Sequence, residues 1–290
     1  MLINNKTKIA LVNAKVIFYF DYKISYYYVT LPPGTFHPNM YNFIYKHIER
    51  IRYMQHSVQL THDQNHSLSW GQFIGSALFA FFGASTISGL FVALPFMIYS
   101  EGISDKKTSA LYSSLGNTGS TLFQLLILLL FIFKYEPLKK LLLPVFNFQA
   151  LQKVRTYVYL FLFFALSIAI NVFIISKLFP HATQEQDVAL NLENLKQYRI
   201  LLILGSAIFI PIFEELIFRG IILQFFQQCF PFWIAAIGSS FIFGIAHTYS
   251  LGVMVSAFMM GMFMAVLYKK TNSIIPAMLF HMMNNTLAFL

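Results

Sequence analysis

The stretch Pro211-Ile-Phe-Glu-Glu-Leu-Ile-Phe-Arg-Gly220 places three ionisable side chains inside a segment that is otherwise apolar. It belongs to a nearly uninterrupted apolar run from Ile200 to Phe226. An ionisable group at the centre of a bilayer costs about 2.5–3.5 kcal/mol on insertion scales. Glu214, Glu215 and Arg219 are therefore expected to be paired with one another, used in chemistry, or both.

The composition of the whole chain is that of an integral membrane protein. Of its 290 residues 57% are hydrophobic and 11% are charged, whereas a soluble domain carries about 25% charged residues. The formal net charge of +9 is expected to mark cytoplasmic loops, and no nucleic-acid partner is expected. The single cysteine, Cys229, cannot form an intrachain disulfide.

Apolar segments of about 20 residues are long enough to cross a bilayer as helices, and by this rule the fold is all-α, a polytopic membrane helical bundle with about seven transmembrane helices. The expected helices run roughly over Gln72–Tyr99, Leu111–Phe133, Tyr157–Phe179, Ile200–Phe218, Pro231–His247, Leu251–Tyr268 and Ile275–Leu290. The last of them is short, and the fifth is marginal in length.

Basic residues in the loops predict the orientation of the bundle. They cluster in the loop from Lys134 to Arg155 and at Lys269 and Lys270. The positive-inside rule places these loops in the cytoplasm. The N-terminus is then cytoplasmic, and the loop Pro180–Arg199 and the C-terminus lie outside. The expected location is the cell membrane, as a multi-pass protein whose surroundings are the lipid bilayer.

Residues 1–69 form a polar extension that mixes Lys, His and Tyr with apolar pieces too short to span a membrane. One hypothesis is that translation of the native product begins at Met54, because Glu49-Arg50-Ile51 could be encoded by a purine-rich ribosome-binding sequence. The other is that the extension is a disordered or surface-lying cytoplasmic arm. Residues 70–199 are expected to form the upstream transmembrane helices.

Helical spacing predicts different partners for the three charged residues. Glu215 and Arg219 are four residues apart and share a helix face, so they are expected to form an ion pair. Glu214 is rotated by about 100° from Glu215, and its partner must come from another helix. Pro211 cannot donate a backbone hydrogen bond, and a bend there would open room for water beside Glu214.

Later segments offer partners for Glu214. His247 ends an apolar segment, and His281 and Asn285 are four residues apart on one face of the last helix. Each could be structural, but a glutamate, two histidines and an asparagine are also the groups that hold and activate a water molecule. Glu214, His247 and His281 could instead bind a divalent metal such as zinc, with water in the fourth position. The spacing leaves both alternatives open.

The motifs Glu214-Glu215-x-x-x-Arg219, Phe243-x-x-x-His247 and His281-x-x-x-Asn285, in this order and in hydrophobic segments, resemble the CPBP family (Abi). These are the CAAX-protease and bacteriocin-processing intramembrane proteases, related to type II CAAX prenyl endopeptidase. The resemblance covers Ile200–Leu290, about the last third of the chain, which would be the CPBP-like catalytic core. It implies an intramembrane endopeptidase that acts on a peptide or membrane-protein substrate.

The resemblance also implies a role for each residue of the motifs. Glu214 would activate the hydrolytic water, and His247 would help to hold it. His281 and Asn285 would complete the site and stabilise the tetrahedral oxyanion. Glu215 and Arg219 would pair and brace the helix. The motifs leave open whether the chemistry depends on a metal.

Two other classes of function compete with the protease. A non-proteolytic bacteriocin self-immunity or membrane scaffold protein would use the same polar residues as contacts between helices. A transporter would also place ionisable groups at mid-membrane, but many transporters carry inverted repeats, and the sequence shows none.

Overall fold

The computed structural model describes residues 7–12, 15–20, 29–30, 68–190, 192 and 196–289. Contacts divide the chain into two compact units, Met1–Asn65 and His66–Leu290. The hypothesis that translation begins at Met54 concerns residues outside the described ones.

The first unit contains a small antiparallel sheet that the sequence analysis did not predict. Its strands are β1 (Thr7–Val12), β2 (Lys15–Phe20) and β3 (Val29–Thr30), in the order β1-β2-β3. Val12 pairs with Lys15, and Lys15 in turn pairs with Thr30. The β-branched and aromatic residues of Val16-Ile-Phe-Tyr-Phe20 favour an extended backbone. These pieces are too short to span a membrane, but they are of ordinary length for strands.

The second unit is helical, which confirms the predicted all-α class for the membrane part of the chain. Its helices are α1 (Trp70–Glu101), α2 (Lys106–Lys134), α3 (Glu136–Leu142), α4 (Val154–Leu178), α5 (Ala182–Ala189), α6 (Lys196–Cys229), α7 (Phe232–Ala246), α8 (Leu251–Thr271) and α9 (Ile275–Phe289). Two short 3₁₀ turns, Leu143–Val145 and Phe148–Gln152, lie between α3 and α4.

Five of these helices, α1, α2, α4, α6 and α8, are long and apolar enough to cross a membrane. Several apolar helices of this kind support a multi-pass membrane protein. Helices α7 and α9 have 15 residues each, which corresponds to a length of about 22 Å at ~1.5 Å per residue. That is shorter than the ~30 Å hydrocarbon core. Helices are present at all seven expected positions, but seven complete spans are not confirmed.

Polar residues at the helix ends explain several of the boundaries. Ser69 and Gln72 form a reciprocal capping box at the start of α1. The Asp105 carboxylate accepts a hydrogen bond from the Thr108 amide at the start of α2, and Ser250 caps α8 in the same way. Asn272, with φ 52°, takes the left-handed conformation that ends α8 and turns the chain towards α9.

Helices α6 and α8 form the centre of the bundle. About 44% of their most apolar window is buried inside the protein, compared with 17–22% for α1, α2 and α4. The latter helices expose many large apolar side chains, as expected for helices that face lipid. The central position of α6 means that Glu215 and Arg219 lie inside the protein rather than in contact with lipid.

Glycines allow α7 and α8 to approach each other closely. A Cβ atom added to Gly244 on α7 would lie 2.9 Å from the Met254 carbonyl oxygen and 3.0 Å from the Phe258 Cβ, both on α8. A Cβ atom at Gly261 on α8 would lie 2.9 Å from the Ser240 Cβ on α7. This approach brings the two helices together beside α6.

We expect Gly244→Ala to lower the free energy of unfolding by about 1–3 kcal/mol, because the added methyl group meets a backbone oxygen that cannot move aside. Gly75→Ala on α1 is the matched control, since a Cβ there meets nothing within 4 Å. That change should be neutral or stabilise the helix by up to about 1 kcal/mol. Thermal unfolding in detergent measures both, and equal melting temperatures would contradict the close packing of α7 on α8.

Candidate active site

Glu214 and Glu215 lie on a short α-helical turn of α6 between two π-helical segments. The turn is Ile210–Glu215, and the π segments are Ile203–Phe209 and Leu216–Ile222. Pro211 has no amide hydrogen to continue the regular pattern, and the first π segment ends two residues before it. Single π turns recur at functional sites because they change the direction of side chains along a helix.

Glu215 and Arg219 form the ion pair that their spacing predicts. The Arg219 Nη1 lies 2.8 Å from Oε1 of Glu215, and both side chains are completely buried. The Nη2 atom of Arg219 donates to the Gly261 carbonyl oxygen on α8 at 2.9 Å. The guanidinium also lies 4.7 Å from the centre of the Phe243 ring on α7. Arg219 therefore connects α6 to α7 and α8 at a single point.

His281 on α9 contacts both glutamates. Its Nδ1 lies 3.2 Å from Oε1 of Glu215, and its Nε2 lies 3.5 Å from Oε2 of Glu214. The imidazole is 1% exposed, whereas the Glu214 side chain is 21% exposed. The structure thus supplies the partner from another helix that Glu214 was expected to need.

The Glu214 carboxylate is only partly engaged by the protein. Its Oε2 is buried, and within the part of the chain that the structure describes it accepts no hydrogen bond. The contact with His281 at 3.5 Å is longer than an ordinary N–H···O bond. A buried carboxylate oxygen without a donor is available to bind a water molecule or a substrate group.

His247 lies at the end of α7 and is oriented by its own helix. Its Nδ1 is 2.7 Å from the Phe243 carbonyl oxygen, so Nδ1 carries the hydrogen and a neutral imidazole leaves the Nε2 lone pair available. The rings of His247 and His281 pack on the same phenylalanine, Phe243, at centroid distances of 4.5 and 5.6 Å. Among the described residues, no hydrogen bond joins His247 to Glu214.

Asn285 lies one helical turn after His281 and connects α9 to the first π segment. Its Nδ2 donates to the Ser206 carbonyl oxygen at 3.0 Å. The neighbouring Asn284 accepts a hydrogen bond from Ser167 on α4 at 2.9 Å through its Oδ1. The two amides fix the position of α9, and His281 with it, against α6 and α4.

The side chains considered for a metal do not fit one in this arrangement. The described residues contain no group of three His, Cys, Asp or Glu side chains gathered closely enough to hold a metal ion. Both nitrogens of His281 face carboxylates, and Nδ1 of His247 faces a backbone carbonyl. Zinc would need three of these donors at about 2.0–2.2 Å from one point.

Sequence reasoning missed residues that support the second π segment. Ser239 on α7 donates to the Phe218 carbonyl oxygen at 2.8 Å, and Gln224 donates to that of Arg219 at 2.9 Å. Tyr268 on α8 holds the Gln224 side chain through a bond of 3.0 Å. The signal was available, because a glutamine or serine within an apolar helix requires a partner.

We expect Arg219→Met to cost about 3–5 kcal/mol of stability, because it leaves the buried Glu215 carboxylate without its cation. Adding Glu215→Gln to this variant removes the charge and should recover part of the loss. The control is Lys139→Met in the exposed pair with Glu136, whose loss should cost about 0–1 kcal/mol. Denaturant unfolding of the single and double variants measures the coupling, and purely additive losses would contradict a buried pair.

Part of the chain is similar to a known protein family. Residues 196–287 match the family model described as Type II CAAX prenyl endopeptidase Rce1-like. The match covers about a third of the chain and includes Glu214, His247, His281 and Asn285. No curated protein and no solved structure matches the chain. The match supports the resemblance of residues 196–287 to the CAAX-protease (CPBP) family of membrane proteases.

Proposed function

We propose that this protein is an intramembrane endopeptidase in which Glu214 activates the water that hydrolyses the peptide bond. The family match supports a peptidase. The observation that carries the mechanism is the Glu214 carboxylate, which is buried, lacks a hydrogen-bond donor on Oε2 and lies 3.5 Å from His281. The substrate is a peptide or a membrane-associated protein that reaches the site from the bilayer or its surface.

The proposed reaction uses Glu214 as a general base and then as a general acid. Its carboxylate takes a proton from water while the water oxygen attacks the carbonyl carbon of the scissile bond. The tetrahedral intermediate collapses as the C–N bond breaks. Glu214 then returns the proton to the nitrogen of the leaving amine. Water adds across the peptide bond, and the carboxylate is regenerated.

The groups around Glu214 position its carboxylate for this role. Arg219 pairs with Glu215 at 2.8 Å, which offsets part of the repulsion between the two carboxylates. His281 approaches the Glu214 carboxylate from α9 and limits its orientations. The ion pair between Glu215 and Arg219 also lowers the cost of burying these two groups in the membrane.

His247 and Asn285 are proposed to act on the water and on the oxyanion. Because Nδ1 of His247 donates to the Phe243 carbonyl oxygen, the Nε2 lone pair can accept a hydrogen bond from the attacking water. The Asn285 amide has two hydrogens, and one is taken by Ser206. The second can donate to the developing oxyanion.

We expect Glu214→Gln to reduce peptide cleavage by about 10²-fold or more while leaving the melting temperature unchanged, because glutamine keeps the shape but cannot accept the proton. The assay uses the full-length protein in liposomes with peptides derived from membrane proteins, and mass spectrometry identifies the new termini. A farnesylated CAAX peptide and the same peptide without the farnesyl group test the substrate class. Glu136→Gln, at an exposed carboxylate, is the control.

Retention of wild-type cleavage by Glu214→Gln would refute this mechanism. Loss of cleavage together with a large fall in melting temperature would assign Glu214 a structural role instead.

We expect cleavage to continue in the presence of a strong divalent-metal chelator, because Glu214, His247 and His281 do not converge on one point in the described residues. The measurement compares the initial rate before and after long incubation with the chelator. Loss of activity that added zinc restores would establish a metal-dependent reaction and would overturn the sequence of steps proposed above.

A non-proteolytic immunity or scaffold protein is the second candidate, and one observation favours it. Glu215 bonds to both Arg219 and His281, and Arg219 also donates to the Gly261 carbonyl oxygen. Such a network stabilises a bundle without any chemistry. In that case the wild-type protein cleaves none of the peptides. Glu214→Gln would then change stability alone.

A further inference from the structure

A small cavity lies between α2 and α6, outside the cluster around Glu214. Its volume is about 30 Å³, and a water molecule needs roughly 10–15 Å³ of such space. Its polar lining residues are Ser114, Asn117, Thr118 and Thr121 on α2 and Ser206 on α6. Leu201, Leu202 and Gly205 complete the wall. The cavity is therefore large enough for about two water molecules, and polar groups line part of its wall.

Ser114 shows that this cavity has an unfilled requirement for a polar ligand. Its side chain is 2% exposed, and its hydroxyl oxygen has no hydrogen-bond partner among the described residues. A buried hydroxyl without a partner destabilises the folded protein. By contrast, Thr118 and Thr121 both donate, to the Leu201 and Thr118 carbonyl oxygens respectively, at 2.9 Å. A water molecule in the cavity would satisfy Ser114.

The cavity lies between one end of the bundle and Glu214. The first residues of α2 and α6 are adjacent, because the Tyr198 hydroxyl donates to the Lys107 carbonyl oxygen at 2.9 Å. Along α6, Ser206 comes after this end and eight residues before Glu214, a distance of roughly 12 Å at ~1.5 Å per residue. The Ser206 carbonyl oxygen, moreover, accepts the hydrogen bond from Asn285. The cavity wall thus directly contacts a residue of the proposed site.

We propose that this cavity binds water and supplies it to Glu214 from the end of the bundle where α2 and α6 begin. This inference rests on the proposed hydrolytic function. Each peptide bond that is cleaved consumes one water molecule, and the hydrocarbon core of a bilayer contains almost none. Ser206 lines the cavity and its carbonyl oxygen bonds to Asn285, which connects the cavity wall to the proposed site. Ser114 is the residue that binds water in the cavity.

The presence of water is tested by radiolytic footprinting of the full-length protein in liposomes. Hydroxyl radicals formed from bound water oxidise adjacent side chains, and mass spectrometry locates the oxidised residues. Leu202 lines the cavity and is 5% exposed, whereas Leu142 is fully buried in the apolar core. We expect Leu202 to be oxidised clearly faster than Leu142. Equal protection of the two leucines would show that the cavity is dry and would overturn the proposal.

The supply of water is tested by variants that fill or dry the cavity. Ser114→Leu fills it, and Thr121→Val keeps its volume but removes a hydroxyl from its wall. Both should slow oxidation of Leu202 and reduce cleavage by an order of magnitude or more. Ser114→Ala keeps the space but removes the hydroxyl that binds the water, so it should change both readouts in the same direction. Gly75→Ala on α1, where the added Cβ atom meets nothing within 4 Å, is the control and should change neither. If Ser114→Leu lowers the melting temperature, its loss of activity could reflect unfolding. The test then depends on Thr121→Val, which conserves the volume of the side chain.

The results separate this proposal from the proposed function. If the filled and dried variants lose the footprint at Leu202 but cleave at the wild-type rate, the cavity holds water and does not supply it. If the wild-type protein cleaves no peptide, the proposed function fails, while the footprint still reports whether water occupies the cavity.

Discussion

The buried ion pair between Glu215 and Arg219 is the contact around which the last third of the chain is arranged. Both side chains are completely removed from solvent, so each is stable there only because the other is present. Arg219 also bonds to α8 through Gly261 and lies over the Phe243 ring on α7, while Glu215 contacts His281 on α9. One pair of charges thus fixes the relative positions of four helices. Glu214 is the adjacent residue on α6 and is positioned by the same contacts. Its own Oε2 atom accepts no hydrogen bond among the described residues.

The π-helical segments of α6 flank two consecutive glutamates that have different contacts. In a regular helix, adjacent residues already point about 100° apart. The segment Leu216–Ile222 adds a wider turn directly after Glu215 and is buried along its whole length. Two carbonyl groups of this turn accept hydrogen bonds from Ser239 on α7 and from Gln224 on α6. Ordinary polar side chains therefore stabilise an unusual backbone next to the two carboxylates.

Much of this arrangement can be predicted from short-range patterns in the sequence. Spacing alone predicted the pairing of Glu215 with Arg219, and apolar length predicted the positions of the long helices. The contact between His281 and Glu214 could be expected only as a partner from some other helix, because helical periodicity carries no information about which helices touch. The strands of the first unit were missed because their apolar pieces were judged only as membrane spans. The cavity beside Ser114 was missed because its walls come from two helices distant in sequence, although the serine- and threonine-rich first half of α2 is unusual for a helix in lipid.

The 15-residue length of α7 and α9 has a consequence for the bilayer itself. Helices of about 22 Å leave roughly 8 Å of a ~30 Å hydrocarbon core unmatched. Such a mismatch is relieved when lipids compress beside the protein or when the short helices sit towards one surface. His247 and His281 are carried by these two helices, so the deformation is centred on the candidate site. Either response shortens the distance between Glu214 and one membrane surface, so a peptide at the headgroup level there lies correspondingly closer to the carboxylate.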